Sequence, residues 1–277
     1  MLMTWRVKTL GYATLAVVVA WAMLTACAGC GAKATLCGIG FESAEADTAV
    51  ALARNNGAPT CNVTASIAYA VGRNANLINA ALLKSGVFAP EYVSGADAQC
   101  ASRFARCVVE NCASDYLRDY APLYRGDAAH GQMFTKRISV TARAFSYREG
   151  IIVYAVTTSE RDEDGMSEKR TSAININAKT GKVITHDELF LPGSDRHIER
   201  LIVDKLRRKY GAKDDNELKD KGILAGEDIY IPDNFVIGKH DITYIYAADE
   251  IAPHDFGEIR VAISYDEFGK LLTINTR

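Results

Sequence analysis

Seven cysteines carry the most legible chemistry in this 277-residue chain, and all of them lie before residue 113. A thiol can be acylated, joined to a second thiol or, once ionised, hold a metal. Cys27 closes an apolar run and stands apart from the other six, which are Cys30, Cys37, Cys61, Cys100, Cys107 and Cys112. No histidine accompanies these cysteines at ligand spacing, so no metal site is expected, and no cofactor is implied. Disulfides are the natural fate of the six in an oxidising compartment. Asp97–Tyr120 reads as one helix, with Phe104, Cys107, Val108, Tyr116, Leu117 and Tyr120 at helical spacing. In such a helix Cys100 and Cys107 would stand about 10 Å apart, and Cys107 and Cys112 about 7.5 Å. A disulfide spans roughly 7 Å between Cα atoms, so each of the three would need a partner among Cys30, Cys37 and Cys61; at least two such bridges are expected, the alternative being partly free buried thiols. The order of pairing stays open.

Catalytic motifs are missing. The chain has no Gly-rich phosphate loop, no His-Glu-x-x-His and no Gly-x-Ser-x-Gly elbow. His130, His186, His197, His240 and His254 are scattered over loops and helix ends. The sequence therefore identifies no catalytic residue. An enzyme would have to draw its acids from dispersed Asp and Glu, as in a hydrolase of cell-wall or other glycans. One loop invites a different reading. Ala247–Gly257 joins two strands and is too long for a tight hairpin. Pro253 stiffens it, Ile251 and Phe256 offer apolar anchors, and Asp249, Glu250 and Asp255, with Glu258 beyond, make it acidic. Such a loop suits insertion into a cleft of a basic partner. Equally, Ile251 and Phe256 could fold inward and lock the loop onto its own sheet.

Arg6 and Lys8 precede an uncharged stretch of 15 residues, Leu10–Leu24, and then small residues and Cys27. This is the layout of a secretory signal, short of the roughly 20 apolar residues of a membrane span. Leu24-Thr25-Ala26-Cys27 resembles the lipobox of bacterial lipoproteins, in which the cysteine is acylated after cleavage and becomes the new N-terminus. The resemblance implies residues 1–26 as signal peptide and Cys27 as the lipidation site. It also implies an extracytoplasmic location on the bacterial membrane. Ala28 in place of an aspartate favours the outer membrane where a cell has two. Lipid chains bind membranes in proportion to their buried methylenes, about 0.8 kcal/mol each.

With 32 basic and 34 acidic residues the chain carries a net charge of −2, and its Lys and Arg form no footprint for nucleic acid. Residues 27–36 are small and suit a tether. Strands are expected at Cys37–Ala53 and Cys61–Val71, a helix at Asn74–Leu83, and a hairpin of Phe134–Phe145 with Ile151–Ser159. Glu160–Arg170 reads as a solvated loop, and Thr171–Asn177 pairs with Lys182–Thr185. Ser194–Tyr210 has a cap, an apolar stripe and Gly211 as stop, all helix signals. A shorter helix at Asn216–Leu224 precedes strands at Asn234–Ile237, Ile242–Tyr246 and Glu258–Ser264. Strands segregated from helices make the fold α+β, with antiparallel sheets and packed helices. Two intimately associated subdomains are expected, a cysteine-containing one over 37–176 and a second over 177–277.

Two stretches resemble a known envelope family. They are Ile176–Lys182 with Asp187–Phe190, and Pro232–Phe235 through Tyr246, Glu250–Pro253, Gly257 and Ile263–Tyr265. The family comprises the extracytoplasmic domain of the anti-sigma factor RsiV and the non-catalytic N-terminal region of the peptidoglycan deacetylase PdaC. What it implies is an α+β module, often on lipoproteins, without catalytic residues of its own. Some members bind lysozyme, which makes Glu250, Ile251, Ala252, Pro253 and Gly257 candidate contacts, with His254, Asp255 and Phe256 between them. The expectation is thus a lipid-anchored, non-enzymatic envelope module, its partner a protein such as lysozyme or a peptidoglycan-related ligand.

Overall fold

Side chains that alternate apolar and polar give a strand one dry face and one wet face. The longest such runs build the larger of two sheets. The computed structural model describes residues 34–273 apart from 125–130, 164, 166 and 227. Its first sheet has the order β1 (Ala34–Leu36), β2 (Ile39–Ala51), β3 (Thr60–Val71), β4 (Lys136–Arg148), β5 (Ile151–Asp162) and β6 (Ser167–Asn177). Neighbours run antiparallel except β3 and β4, which are parallel from Cys61 beside Lys136 to Ile67 beside Ala142. A parallel pair needs a crossover, and α1 (Ala75–Lys84) and α2 (Phe104–Tyr120) lie on it. The sheet's inner face presents Cys61, Val63, Ala65 and Ile67 of β3 with Ile138, Val140 and Ala142 of β4, all buried. Asn62, Thr64, Arg137, Ser139 and Arg143 are exposed on the other face. A slip of one residue would exchange the faces, so burial fixes the register.

Two sequence readings are corrected here. The Asp97–Tyr120 helix is broken: the Asp97 carboxylate accepts from Gln99 N at 2.9 Å and opens a 3-10 segment over Ala98–Arg103. Cys100 leaves helical geometry at φ −109°, ψ 38°, and the α-helix starts only at Phe104. Helical spacing therefore applies to Cys107 and Cys112 but not to Cys100. The charged Glu160–Arg170 segment is mostly strand, because Glu160 pairs with Glu168 and Arg161 with Ser167 in the β5–β6 ladder. The expected Lys182–Thr185 strand amounts to the bridge Ile176–Val183 and two flanking backbone bonds.

Cys37, Cys61, Cys100, Cys107 and Cys112 are free thiols, and Cys27 and Cys30 lie outside the described residues. Cys61 on β3 and Cys112 on α2 are buried in one core, where desolvation pushes the thiols up to about 11 and about 12. Cys37 forms the β1–β2 turn with Gly38.

The second sheet is antiparallel: β7 (Phe235–Ile237), β8 (Asp241–Tyr246) and β9 (Ile259–Ser264). Four helices precede or follow its strands: α3 (His186–Leu189), α4 (Asp195–Tyr210), α5 (Asp215–Asp220) and α6 (Tyr265–Phe268). Ile198, Ile202 and Leu206, the apolar stripe of α4, are buried in one cluster with Ile242, Tyr244, Val261 and Ile263. Gly211 ends α4 with φ 63°, a left-handed conformation that glycine adopts without penalty. One apolar cluster thus runs from Ile39 to Ala178 and a second from Leu189 to Phe268.

The two sheets meet at β6 through side-chain amides. Asn175 is 1% exposed, donates to Phe235 O at 2.9 Å and accepts from Ile237 N at 2.8 Å. Asn234 reciprocates, accepting from Ala173 N at 2.8 Å and donating to Thr171 O at 2.8 Å. The carboxylate of Glu258 takes Thr171 N at 2.7 Å. Asn79 treats the end of β3 in the same way, pairing with both N and O of Ala70. Each amide supplies the donor and acceptor that a neighbouring strand would have supplied.

Asn175→Ala leaves Phe235 O and Ile237 N unpaired, and an unsatisfied buried group costs about 1–3 kcal/mol. Urea unfolding should therefore show a loss of roughly 2–4 kcal/mol. Asn234→Ala, at a half-buried position, should lose about 1–2 kcal/mol. A loss below about 0.5 kcal/mol for Asn175→Ala would show that the amide bonds are dispensable.

Candidate partner-binding loop

The loop from Ala247 to Glu258 leaves β8 and returns into β9. Its first half is anchored inward. The Glu250 carboxylate accepts from Ala247 N and from the Tyr230 hydroxyl. Asp249 adopts φ 65°, and Ile251 turns into the second core with 5% exposure while its carbonyl accepts from Leu224 N at 2.8 Å. The Pro253 ring lies against Gly222, where a Cβ would meet it at 3.5 Å. Its second half faces out. Pro253, His254, Asp255 and Phe256 are exposed, with His254–Phe256 in a 3-10 turn that ends at Gly257. Gly257 has φ 60°, ψ −153°, a region essentially reserved for glycine. Phe256 is 39% exposed and meets the Tyr210 ring edge-on at 5.8 Å.

The two readings of the loop therefore divide between its two apolar residues: Ile251 locks and Phe256 presents. Its acidity is largely spent on the protein itself. Asp249 holds His254 Nδ1 at 2.8 Å, which raises the imidazole pKa, and Glu258 holds Arg260 as well as Thr171 N. Asp255 is the loop carboxylate without a hydrogen-bond partner among the described residues. Lys209, near Tyr210, donates to Arg260 O, so cations border the loop on the α4 side.

A groove of about 360 Å³ opens on the inner face of the first sheet, where the helices stop covering β5 and β6. Glu91, Tyr92, Glu160, Glu168 and Arg170 line it. Glu160 stands directly opposite Glu168, but it is already ion-paired to Lys136, which also lies over the Tyr120 ring at 4.8 Å. The sequence reading missed this groove by treating Glu160–Arg170 as loop. The period-two run Glu168, Arg170, Ser172 was the available signal. Glu267, whose carboxyl is held at about 2 by its hydrogen bond to Lys205, belongs to the capping box of α6.

Of the five histidines, His130 lies outside the described residues and His197 and His240 are exposed. His186 is buried, stacked on Phe190 at 4.6 Å, and desolvation lowers its pKa. Its Nε2, Ser194 Oγ and Tyr244 OH have no hydrogen-bond partner among the described residues. No three His, Cys, Asp or Glu converge as metal ligands among those residues.

The arrangement is that of a mixed α+β protein with largely antiparallel sheets, and solved structures share it. Residues 187–266 match a family model described as "Protein of unknown function (DUF3298)". A member of the DUF3298 family from Bacteroides fragilis NCTC 9343 is similar to the chain with a TM-score of 0.70 at 20% identity, over 86% of this chain and 94% of that one. A DUF3298 family protein from Pseudomonas aeruginosa PAO1 gives 0.53 at 12% identity, over 84% and 95%. No curated protein matches the sequence.

Truncating the two apolar residues should separate lock from presentation. Ile251→Ala should cost about 2–4 kcal/mol in urea unfolding, and Phe256→Ala less than about 1 kcal/mol. Equal costs would mean that Phe256 is as much a core residue as Ile251.

Proposed function

We propose that this chain is a lipid-anchored, non-enzymatic module of the bacterial cell envelope whose Pro253–Gly257 loop docks into a protein partner. The observation that carries the reading is a loop rigidly held at Ile251, Glu250 and Glu258 that still exposes Phe256 and Asp255 at its tip. Groups fixed before binding lose little freedom on association, and an aromatic at the centre of a patch is a typical anchor. The resemblance of Glu250–Pro253 and Gly257 to the RsiV and PdaC family makes lysozyme, a basic protein, the first partner to test. Cys27, at the end of its lipobox-like run, supplies the anchor.

One set of samples tests partner and anchor. Mature protein titrated with lysozyme should form a complex at micromolar concentration, and Phe256→Ala with Asp255→Asn should weaken it at least tenfold. Isolated peptidoglycan, run in parallel, should retain no more protein than a control domain. Cys27→Ser should move the protein from the membrane fraction to the soluble one. Absence of a complex at tens of micromolar, or a complex indifferent to the loop, rejects the lysozyme reading. Retention on peptidoglycan would replace it with the glycan reading, and unchanged fractionation of Cys27→Ser would reject the lipid anchor.

A further inference from the structure

Among the described residues, β1 pairs with β2 from Ala34 beside Phe41 to Leu36 beside Ile39, whereas β2 runs on to Ala51. Beyond Phe41 one side of β2 has no neighbouring strand among the described residues. The direction of its backbone groups follows from the hairpin. The turn Cys37-Gly38 has φ 50° and 80°, a two-residue loop of the mirror-image type, and such loops close on a hydrogen-bonded pair. Ile39 and Phe41 therefore point their N–H and C=O at β1, and by alternation Ser43, Glu45, Asp47, Ala49 and Ala51 point theirs away from β3. Two independent contacts agree. Ala70, opposite Phe41, gives both backbone groups to Asn79, and Ala68, opposite Ser43, accepts from the Tyr154 hydroxyl at 2.6 Å. Neither therefore spends these groups on β2.

Ser43, Glu45, Asp47, Ala49 and Ala51 are all exposed. The open edge is about 30 Å long at the usual strand rise. β2 carries Glu42, Glu45 and Asp47 and no cation, and the nearest arginines of the same outer face, Arg137 and Arg143, stand two strands inward on β4. Small residues (Ser43, Ala44, Ala46, Ala49) leave room for another backbone to approach. Exposed edges invite strand addition, and charge decides what is admitted. A second copy of β2 would bring Glu45 and Asp47 against acidic residues of its own kind, which disfavours self-pairing.

We propose that the Ser43–Ala51 edge of β2 binds an extended, basic segment of a protein partner by strand addition. The site requires nothing of the 253–257 loop and is separable from it.

Amide hydrogen exchange read by NMR on the mature protein tests it. In the free protein Ser43, Glu45, Asp47 and Ala49 should exchange fast, and Ala44, Ala46 and Thr48 slowly. A capped octapeptide alternating lysine with threonine or valine should slow the first set at least tenfold. The matching glutamate peptide and a backbone N-methylated lysine peptide should leave it unchanged. Glu45→Lys with Asp47→Lys, a surface change whose folding is checked by circular dichroism, should reverse the preference. Phe256→Ala should not alter the effect. Slow exchange of the first set in the free protein, no response to the lysine peptide, or an equal response to the glutamate peptide would each overturn the proposal.

Discussion

A strand at the margin of a sheet carries backbone donors and acceptors that must find partners once they are buried, and β6 is the strand on which this molecule's assembly turns. Its outer margin faces the second sheet but is not continued by β7 as a ladder. Asn175 and Asn234 exchange amide bonds with it, and Glu258 takes Thr171 N. A primary amide has the same donor and acceptor chemistry as a peptide group. Two asparagines can therefore close an edge without imposing a strand's direction or twist. That freedom lets a three-stranded sheet with its own core lie against a six-stranded one.

The partner loop inherits its rigidity from this junction. Glu258, the last residue before β9, is fixed by β6, and Leu224 and Tyr230 hold the other end through Ile251 O and the Glu250 carboxylate. A loop held at both ends has few conformations to lose. The inward half does structural work, so recognition falls to four exposed residues, of which Phe256 offers apolar area and Asp255 a carboxylate without a hydrogen-bond partner among the described residues. The acidity so visible in the sequence is consumed in holding the loop, a distinction that composition cannot make.

Much of the fold was legible because its signals are local. Val63, Ala65, Ile67 and Tyr69 alternate cleanly, and β3 forms where they do. α4 forms where Ile198, Ile202 and Leu206 recur and Gly211 stops them. Errors arose where a non-local or competing contact decided. Helical spacing around Cys107 extended naturally back to Asp97, but the Asp97 side chain satisfied a backbone N–H locally and diverted the chain into a 3-10 turn. The charges of Glu160–Arg170 read as solvent because nothing nearby in sequence announces Lys136, the cation that steadies Glu160. Asn175 was the overlooked clue. Asparagine is depleted in strands, and one placed between Ile174 and Ile176 signals a bond to something outside its own sheet.

If the amides of Asn175 and Asn234 join the sheets energetically, the two cores should open together. Native-state hydrogen exchange across low urea concentrations measures this at single amides. Thr171, Ala173 and Ile237 should exchange only through global unfolding, with the same free energy and urea dependence as Val63 and Ile152 in the first core. A lower free energy for β7–β9, with their amides released while β3 and β5 stay protected, would show two separately folding bodies and contradict the account.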